Sequence, residues 1–399
     1  MNRDSAIRLL ADTFDQPFDE QRFTRFASEL LNRVDTSKQF GYRSGNIIPQ
    51  AFRGHVSRYH RPFVYYDPDG ERVDVLIVKL DKAAALDRAR TMQRNFISHY
   101  LKQDHDEVVE AALVAYFHED VADWRFSFVR LEYAYGDEGL EEILTPARRY
   151  SYLVGPTEPT HTAEQQLLPF LLDDRQNPPI DSLAQAFKIE TVSRQFFESY
   201  KELFLRLTEE IEKIAKKDTA VRREFERVEL NIPDFAKKLL GQIVFLYFVQ
   251  KKGWLGVEPG QQWGSGPKDF LRRLFAKRDA HNFFDEMLEP LFYDALAIDR
   301  PHNYFEPLDC QIPFLNGGLF EPMKGYDWRR TKLTLPDKLF SNRRNERDDQ
   351  GTGILDVFDR YNFTVREEEP LEKEVAVDPE MLGKVFENLL EVKDRKSKG

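Results

Sequence analysis

One cysteine, Cys310, stands in 399 residues, and no second one exists to pair with it. That excludes an intramolecular disulfide and a cysteine-rich zinc module. The eight histidines, at 55, 60, 99, 105, 118, 161, 281 and 302, never fall at HxH or HxxxH spacing, so no histidine zinc motif is written here. No apolar run is long enough to cross a bilayer, and the opening MNRDSAIRLLADTF is charged throughout, unlike a signal peptide. A P-loop, GxxxxGK[ST], is also missing. These absences lead to the expectation of a cytoplasmic protein with no membrane partner. Positive charge is in deficit too, with a net charge of −11. A protein that coats nucleic acid is disfavoured on that ground, but a local basic groove is not, because counterion release depends on local Lys and Arg.

What is present is core material: 41% hydrophobic residues, with 32 Phe and 16 Tyr. Three regions can be drawn. Residues 1–165 alternate helix-like and strand-like text. Phe23, Phe26, Ala27, Leu30, Leu31 and Val34 share a helical face behind Asp19 as a candidate N-cap. RPFVYYDPDGERVDVLIVKL reads as two strands about the turn Asp67-Pro68-Asp69-Gly70. A helix-like AAALDRARTMQRNFISHYL follows, then strands at 111–117, 124–135 and 149–155. This is an α/β pattern around a mixed sheet. Residues 166–232 hold a proline-rich joint and a long amphipathic helix, with Phe196, Phe197, Tyr200, Leu203, Phe204, Leu207, Ile211 and Ile214 on its apolar side. Residues 233–399 read as a mainly α-helical domain. Its first helix is apolar nearly all round at Ile243–Val249, and further helices are expected near 267–277, 281–296 and 378–390.

Four stretches invite a chemical reading. Asn177-Pro178-Pro179-Ile180 is close to the Asn-Pro-Pro-aromatic loop of amine methyltransferases, but Ile180 has no π-face for a flipped base. No FxGxG-like cofactor loop accompanies it, so NPPI reads as a turn set by two prolines. Restriction-type nucleases place an Asp and a Glu-x-Lys on adjoining strands, two acids for Mg²⁺ and a Lys near the water. Asp74 and Lys79 lie on one strand after the hairpin turn, but the position two before Lys79 is Ile77. Glu132 is the candidate substitute acid, so Asp74 and Glu132 would hold Mg²⁺ and Lys79 would stand near the water. The alternative is a β-strand with a charged residue at each end. IPFLNGGLFE, 312–321, reads as a packed loop, since no helix N-terminus plus Lys follows to cradle phosphate. Arg343 and Arg344, in the polar loop 341–353, could meet a DNA phosphate or simply be solvated.

Three strings, FAKKLLGQIVFLYFVQKKGWLG, IPFLNGGLFE and ILDVFDRYNFTVREEEPLEKEVAVDPEMLGKVFENLL, occur in that order. Together they resemble the helical segment that precedes the methyltransferase domain in type IIG restriction-modification enzymes, the Eco57I-like adenine-N6 methylases, and in related phage-defence methylases. The likeness spans about residues 230–399, with a weaker one to the family's nuclease-like α/β region before it. It implies a restriction-nuclease-like α/β domain followed by a helical connector, with double-stranded DNA and a methyltransferase domain or subunit as partners. In that family the methyltransferase begins past a tail like EVKDRKSKG, so S-adenosylmethionine would belong to a domain beyond Gly399. No methylase catalytic residue can be placed on this chain, and the nuclease pattern falls only on Asp74 and Lys79. The resemblance leaves a second reading open, a non-catalytic DNA- or partner-binding module of a phage-defence methylase complex.

Overall fold

The computed structural model describes residues 1–83, 86, 90–103, 107–131, 133–136, 139–144, 148–278, 281–315, 318–344, 350–364 and 372–377. Two compact units result, one built on Met1–Ser193 and one on Arg194–Asp359; residues 360–362 and 372–374 return to the first.

The first unit begins with α1 (Arg3–Phe14) and α2 (Glu20–Leu31). Asp19 caps α2 by accepting from the Arg22 N–H at 2.8 Å. Phe23, Phe26, Ala27, Leu30 and Leu31 are its buried face, as their three- and four-residue spacing predicts. Asn32, at φ 63°, ends the helix, so Val34 enters a short strand, β1 (Val34–Asp35), instead of a further helical turn. Next come β2 (Phe40–Ser44), β3 (Val56–Tyr66) and β4 (Arg72–Leu80). The β3–β4 turn uses Gly70 at φ 84°, a conformation that L side chains rarely adopt. Helix α3 (Arg90–Leu101) then crosses to β5 (Ala111–Phe117), which pairs parallel with β4. Strands β6 (Trp124–Arg130), the side hairpin β7 (Tyr133–Gly136) with β8 (Gly139–Leu144), and β9 (Arg148–Val154) complete the series.

The main sheet runs β1-β3-β4-β5-β6-β9 and ends on the strand Glu372–Glu374, while β2 shares the outer edge of β3 with β1. It is a mixed sheet: β4–β5 and β9 with 372–374 are parallel, and the other pairs are antiparallel. Because β4 is central and covered on both faces, it is buried almost throughout, and its run Val75–Val78 is continuously apolar instead of alternating. One face packs on α3 through Leu76, Val78, Tyr116, Phe96 and Tyr100. The opposite face holds an aromatic core of Phe14, Phe23, Phe26, Trp124 and Phe126. Each such side chain, fully buried, contributes on the order of 1.5–3 kcal/mol. The returning strand brings Glu374 to the buried Arg125, 3.1 Å away, which neutralises an interior cation.

The proline-rich turn docks onto the hairpin. Asn177 donates to the Tyr66 carbonyl at 3.0 Å, and the Ile180 N–H donates to Asp67 at 3.2 Å. It lies between α4 (His161–Leu172) and α5 (Ile180–Ala186), not at a strand end.

Helix α6 (Ile189–Lys217) leads into the second unit, which is mainly helical: α7 (Thr219–Arg227), α8 (Ile232–Lys251), α9 (Phe270–Ala276) and α10 (Ile354–Phe358). Phe196, Tyr200, Leu203, Leu207 and Ile211 form the buried stripe of α6. The loop after IPFL hangs on α8, whose Gln242 and Lys238 donate to the carbonyls of Leu319 and Gly318 at 2.9 and 3.0 Å. The helix expected over 281–296 forms instead as two π-helical turns, Phe283–Leu288 and Leu291–Leu296. The helix expected at 378–390 lies outside the described residues. Among the described residues no helix is long and apolar enough to cross a membrane.

Candidate functional site

Side chains on a strand alternate between faces, so residues five apart point to opposite sides. Asp74 and Lys79 obey this, and the structure does not bring them together. Asp74 lies on the α3 face with no exposure. It accepts from Arg61 Nη1 at 2.6 Å, Arg72 Nε at 2.8 Å, Arg72 Nη2 at 3.3 Å and the Tyr100 hydroxyl. A carboxylate offers about four acceptor sites, and these four donors use them. Burial, reinforced by the Asp74 charge, pushes the Tyr100 phenol far up, so it stays a proton donor. Lys79 lies on the α2 side, 2.6 Å from Glu119. Glu132 falls outside the described residues. Arg343 and Arg344 are exposed residues of the second unit. Among the described residues no group of three or more His, Cys, Asp and Glu could hold a metal ion.

A different constellation stands on the α2 face, where β4 presents Ile77 and Lys79. The register sets His60 opposite Ile77 and Arg58 opposite Lys79. That register depends on a bulge at Arg61 and Pro62, where β3 carries one more residue than β4 between His60 and Phe63. His60 Nε2 is 3.0 Å from Glu20 Oε1 of α2, and the Tyr42 hydroxyl of β2 also donates to Glu20. The Tyr42 ring is 4.3 Å from the His60 ring, with the Arg58 guanidinium 4.2 Å from its centroid. Burial holds the His60 imidazole below its ordinary range, and Arg58 adds to this while Glu20 opposes it. Neutral His60 thus gives its Nε2–H to Glu20 and leaves a lone pair on Nδ1. That atom is buried and has no hydrogen-bond partner. The Tyr42 phenol is pushed up to about 12, chiefly by burial and then by its bond to Glu20.

These groups border a groove of 990 Å³ where α2 passes the outer edge of the sheet, at the break between β1 and β2. Its charge setting is legible in the sequence although no short motif marks it. From Thr36 to Tyr66 the chain carries Lys38, Arg43, Arg53, Arg58 and Arg61 and no Asp or Glu, against a total of −11. Lys38 is paired with Glu107, and Arg61 with Asp74. Among the described residues Arg53 bonds to the carbonyls of Ile48 and Asn46 and makes no ion pair. Arg43 lies over Phe40 at 3.8 Å, as Arg58 lies over Tyr42. A stacked or carbonyl-bonded guanidinium keeps its charge for a phosphate.

Comparison with family models, curated proteins and solved structures gives no match.

The second unit holds one unusual acid. Glu289, between the two π-helical turns, has no exposure, and neither carboxyl oxygen makes a well-formed hydrogen bond. Burial, then the nearby Asp285, raises it well above the ordinary carboxylate range, while the Tyr326 hydroxyl beside it acts the other way. It is therefore protonated in the fold over a range where the unfolded chain would ionise. Stability from this group is lost as pH rises above about 4.5. Glu289→Gln is expected to raise Tm at about pH 8 by at least ~2 °C, equivalent to roughly 1 kcal/mol. The gain should vanish near pH 4; a pH-independent difference in Tm would refute the assignment.

Proposed function

We propose that this chain is the N-terminal part, or a separately encoded subunit, of a bacterial adenine-N6 restriction-modification enzyme of the type IIG class. Its α/β unit holds duplex DNA without cutting it. The family part of the reading rests on the three strings resembling the segment before the methyltransferase. The order α2, β3–β4 hairpin, α3, parallel β5 agrees with a restriction-nuclease-like domain. S-adenosylmethionine would be bound by the methyltransferase partner.

The observation that carries the binding role is the acid-free basic edge, residues 36–66, in an otherwise acidic chain. Arg43, Arg53 and Arg58 make no ion pair among the described residues, so phosphate contact does not have to displace an internal carboxylate. The non-cutting role is supported by the chemistry of β4, Glu132 lying outside the described residues. Where the second acid of a nuclease should stand is Ile77, fully buried. The first acid, Asp74, faces away from Lys79 and is bonded to two arginines and a tyrosine. Two convergent acids are what an Mg²⁺-assisted displacement needs.

Incubating supercoiled and linear DNA with the full chain and Mg²⁺ or Mn²⁺ tests the point on a gel. The expected result is a mobility shift with intact DNA after protein removal. Metal-dependent nicks or ends, lost when the metal is chelated, would restore the nuclease reading with Mg²⁺ as its cofactor.

A further inference from the structure

We propose that the loop joining β2 to β3, residues 45–55, enters the major groove of duplex DNA and reads A·T base pairs there. This rests on the DNA-binding reading above and extends it from phosphates to base edges.

The loop is anchored and turns three side chains outward. Gly45, at φ 60°, bends the chain out of β2. Two short 3-10 turns follow, Gly45–Ile47 and Gln50–Phe52. The Ile48 N–H closes the first on the Gly45 carbonyl at 3.1 Å, and the Phe52 N–H closes the second on the Pro49 carbonyl at 2.9 Å. Ile48 and Phe52 drop into the core that packs on α3, at 1% and 8% exposure. Around these anchors Asn46, Ile47 and Gln50 face solvent, and Ile47 is 61% exposed. Neither the Asn46 nor the Gln50 amide makes a hydrogen bond among the described residues. A loop already fixed by its own core contacts loses little entropy when it binds.

Its surroundings point it at DNA, and its side chains select the pair. Arg43 and Arg58 stand on the two paired strands that the loop connects, Arg53 lies within it, and no Asp or Glu occurs from 36 to 66. Phosphates held by these arginines would bring the loop tip to the groove between them, and the major groove admits a pair of β-strands. A single exposed isoleucine is ordinary on a protein surface. Here it stands among amides that suit the same base pair. An Asn or Gln amide gives an N–H to adenine N7 and accepts from the adenine N6 amine, while an apolar side chain packs on the thymine methyl. Guanine offers two acceptors on that edge and leaves the amide oxygen unmatched, and cytosine has no methyl.

The test uses the full chain and fluorescence anisotropy on alternating A·T duplexes of about one helical turn. One duplex carries thymine, a second carries uracil in its place, and a third carries 7-deazaadenine. The second lacks only the major-groove methyl groups and the third only the N7 acceptors, so the minor-groove edges stay the same. The thymine duplex should bind about fourfold tighter than the uracil duplex, the worth of one buried methyl. It should bind about fivefold tighter than the 7-deazaadenine duplex, which loses a hydrogen bond. Ile47→Ala should make the thymine and uracil duplexes equal. Asn46→Ala combined with Gln50→Ala should make the adenine and 7-deazaadenine duplexes equal. All three side chains are exposed, so these variants keep the fold. Wild-type protein that binds all three duplexes equally overturns the loop reading alone. Preferences that survive in the variants assign base reading to another element and overturn it too. Absence of binding to every duplex overturns the DNA reading and the loop together.

Discussion

Asp74→Ala is expected to destabilise the first unit by about 3–5 kcal/mol, the usual consequence of removing one partner from a buried ion pair. Three groups converge on this carboxylate: Arg61 at 2.6 Å, Arg72 at 2.8 Å and the Tyr100 hydroxyl. Arg61 and Arg72 have side-chain exposures of only 11% and 4%. Alanine would leave Arg61 with the Lys38 carbonyl but no counter-charge there, leave Arg72 with only Glu107 at 3.8 Å, and remove the Asp74 oxygen to which Tyr100 donates. Asp74→Asn keeps the shape and one acceptor but removes the charge, so its effect should lie between alanine and wild type. Urea unfolding of the full chain, followed by a probe of the first unit, measures both. If Asp74→Ala folded with wild-type stability and lost only a metal-dependent activity, the carboxylate would be a metal ligand after all and not a structural anchor.

The second large effect concerns DNA. Combined replacement of Arg43, Arg53 and Arg58 by alanine should reduce duplex affinity by roughly 10–100-fold at low salt, and lower the slope of log K against log salt by about 0.9 per lost phosphate contact, near 2.7 for all three. The loss should be the same for every duplex sequence, because phosphate contacts position DNA and do not read it. The three side chains are partly or fully exposed and carry no internal ion pair among the described residues, so little stability depends on their charge. An unchanged salt slope in the triple variant would mean that phosphates meet a different surface. Arg343 and Arg344, exposed in the second unit, would then be the next pair to replace.

Parts of this arrangement are legible in the sequence for identifiable reasons. Asp19 announces α2 because its side chain can satisfy an orphan N–H, and Asp67-Pro68-Asp69-Gly70 announces the hairpin because Gly70 alone takes φ 84° easily. The opposite facing of Asp74 and Lys79 is legible too: an odd separation on one strand separates two side chains. The site at His60 is not. Pairing counted back from the turn sets Arg61 against Ile77, and only the bulge at Arg61 and Pro62 moves His60 there. Pro62 hints at an irregular edge but does not tell where the extra residue falls. Nor is the contact with Glu20, which comes from a helix about 40 residues away. A search at 3.6-residue period finds a helix over 281–296 but not its π-helical winding around Glu289, where each turn takes more residues. The basic edge was open to inspection all along, but only as a gap in acid positions across residues 36–66, which no motif of a few residues records.

Hydrogen exchange of the full chain, with and without a short duplex in Mg²⁺, tests most directly whether the edge of the first unit is where DNA is held. Duplex should slow exchange of amides within residues 36–66, above all in β2 and the segment up to β3, and should leave the DNA uncut. Protection confined to 194–359, or no protection anywhere under conditions where DNA is bound, would contradict the account.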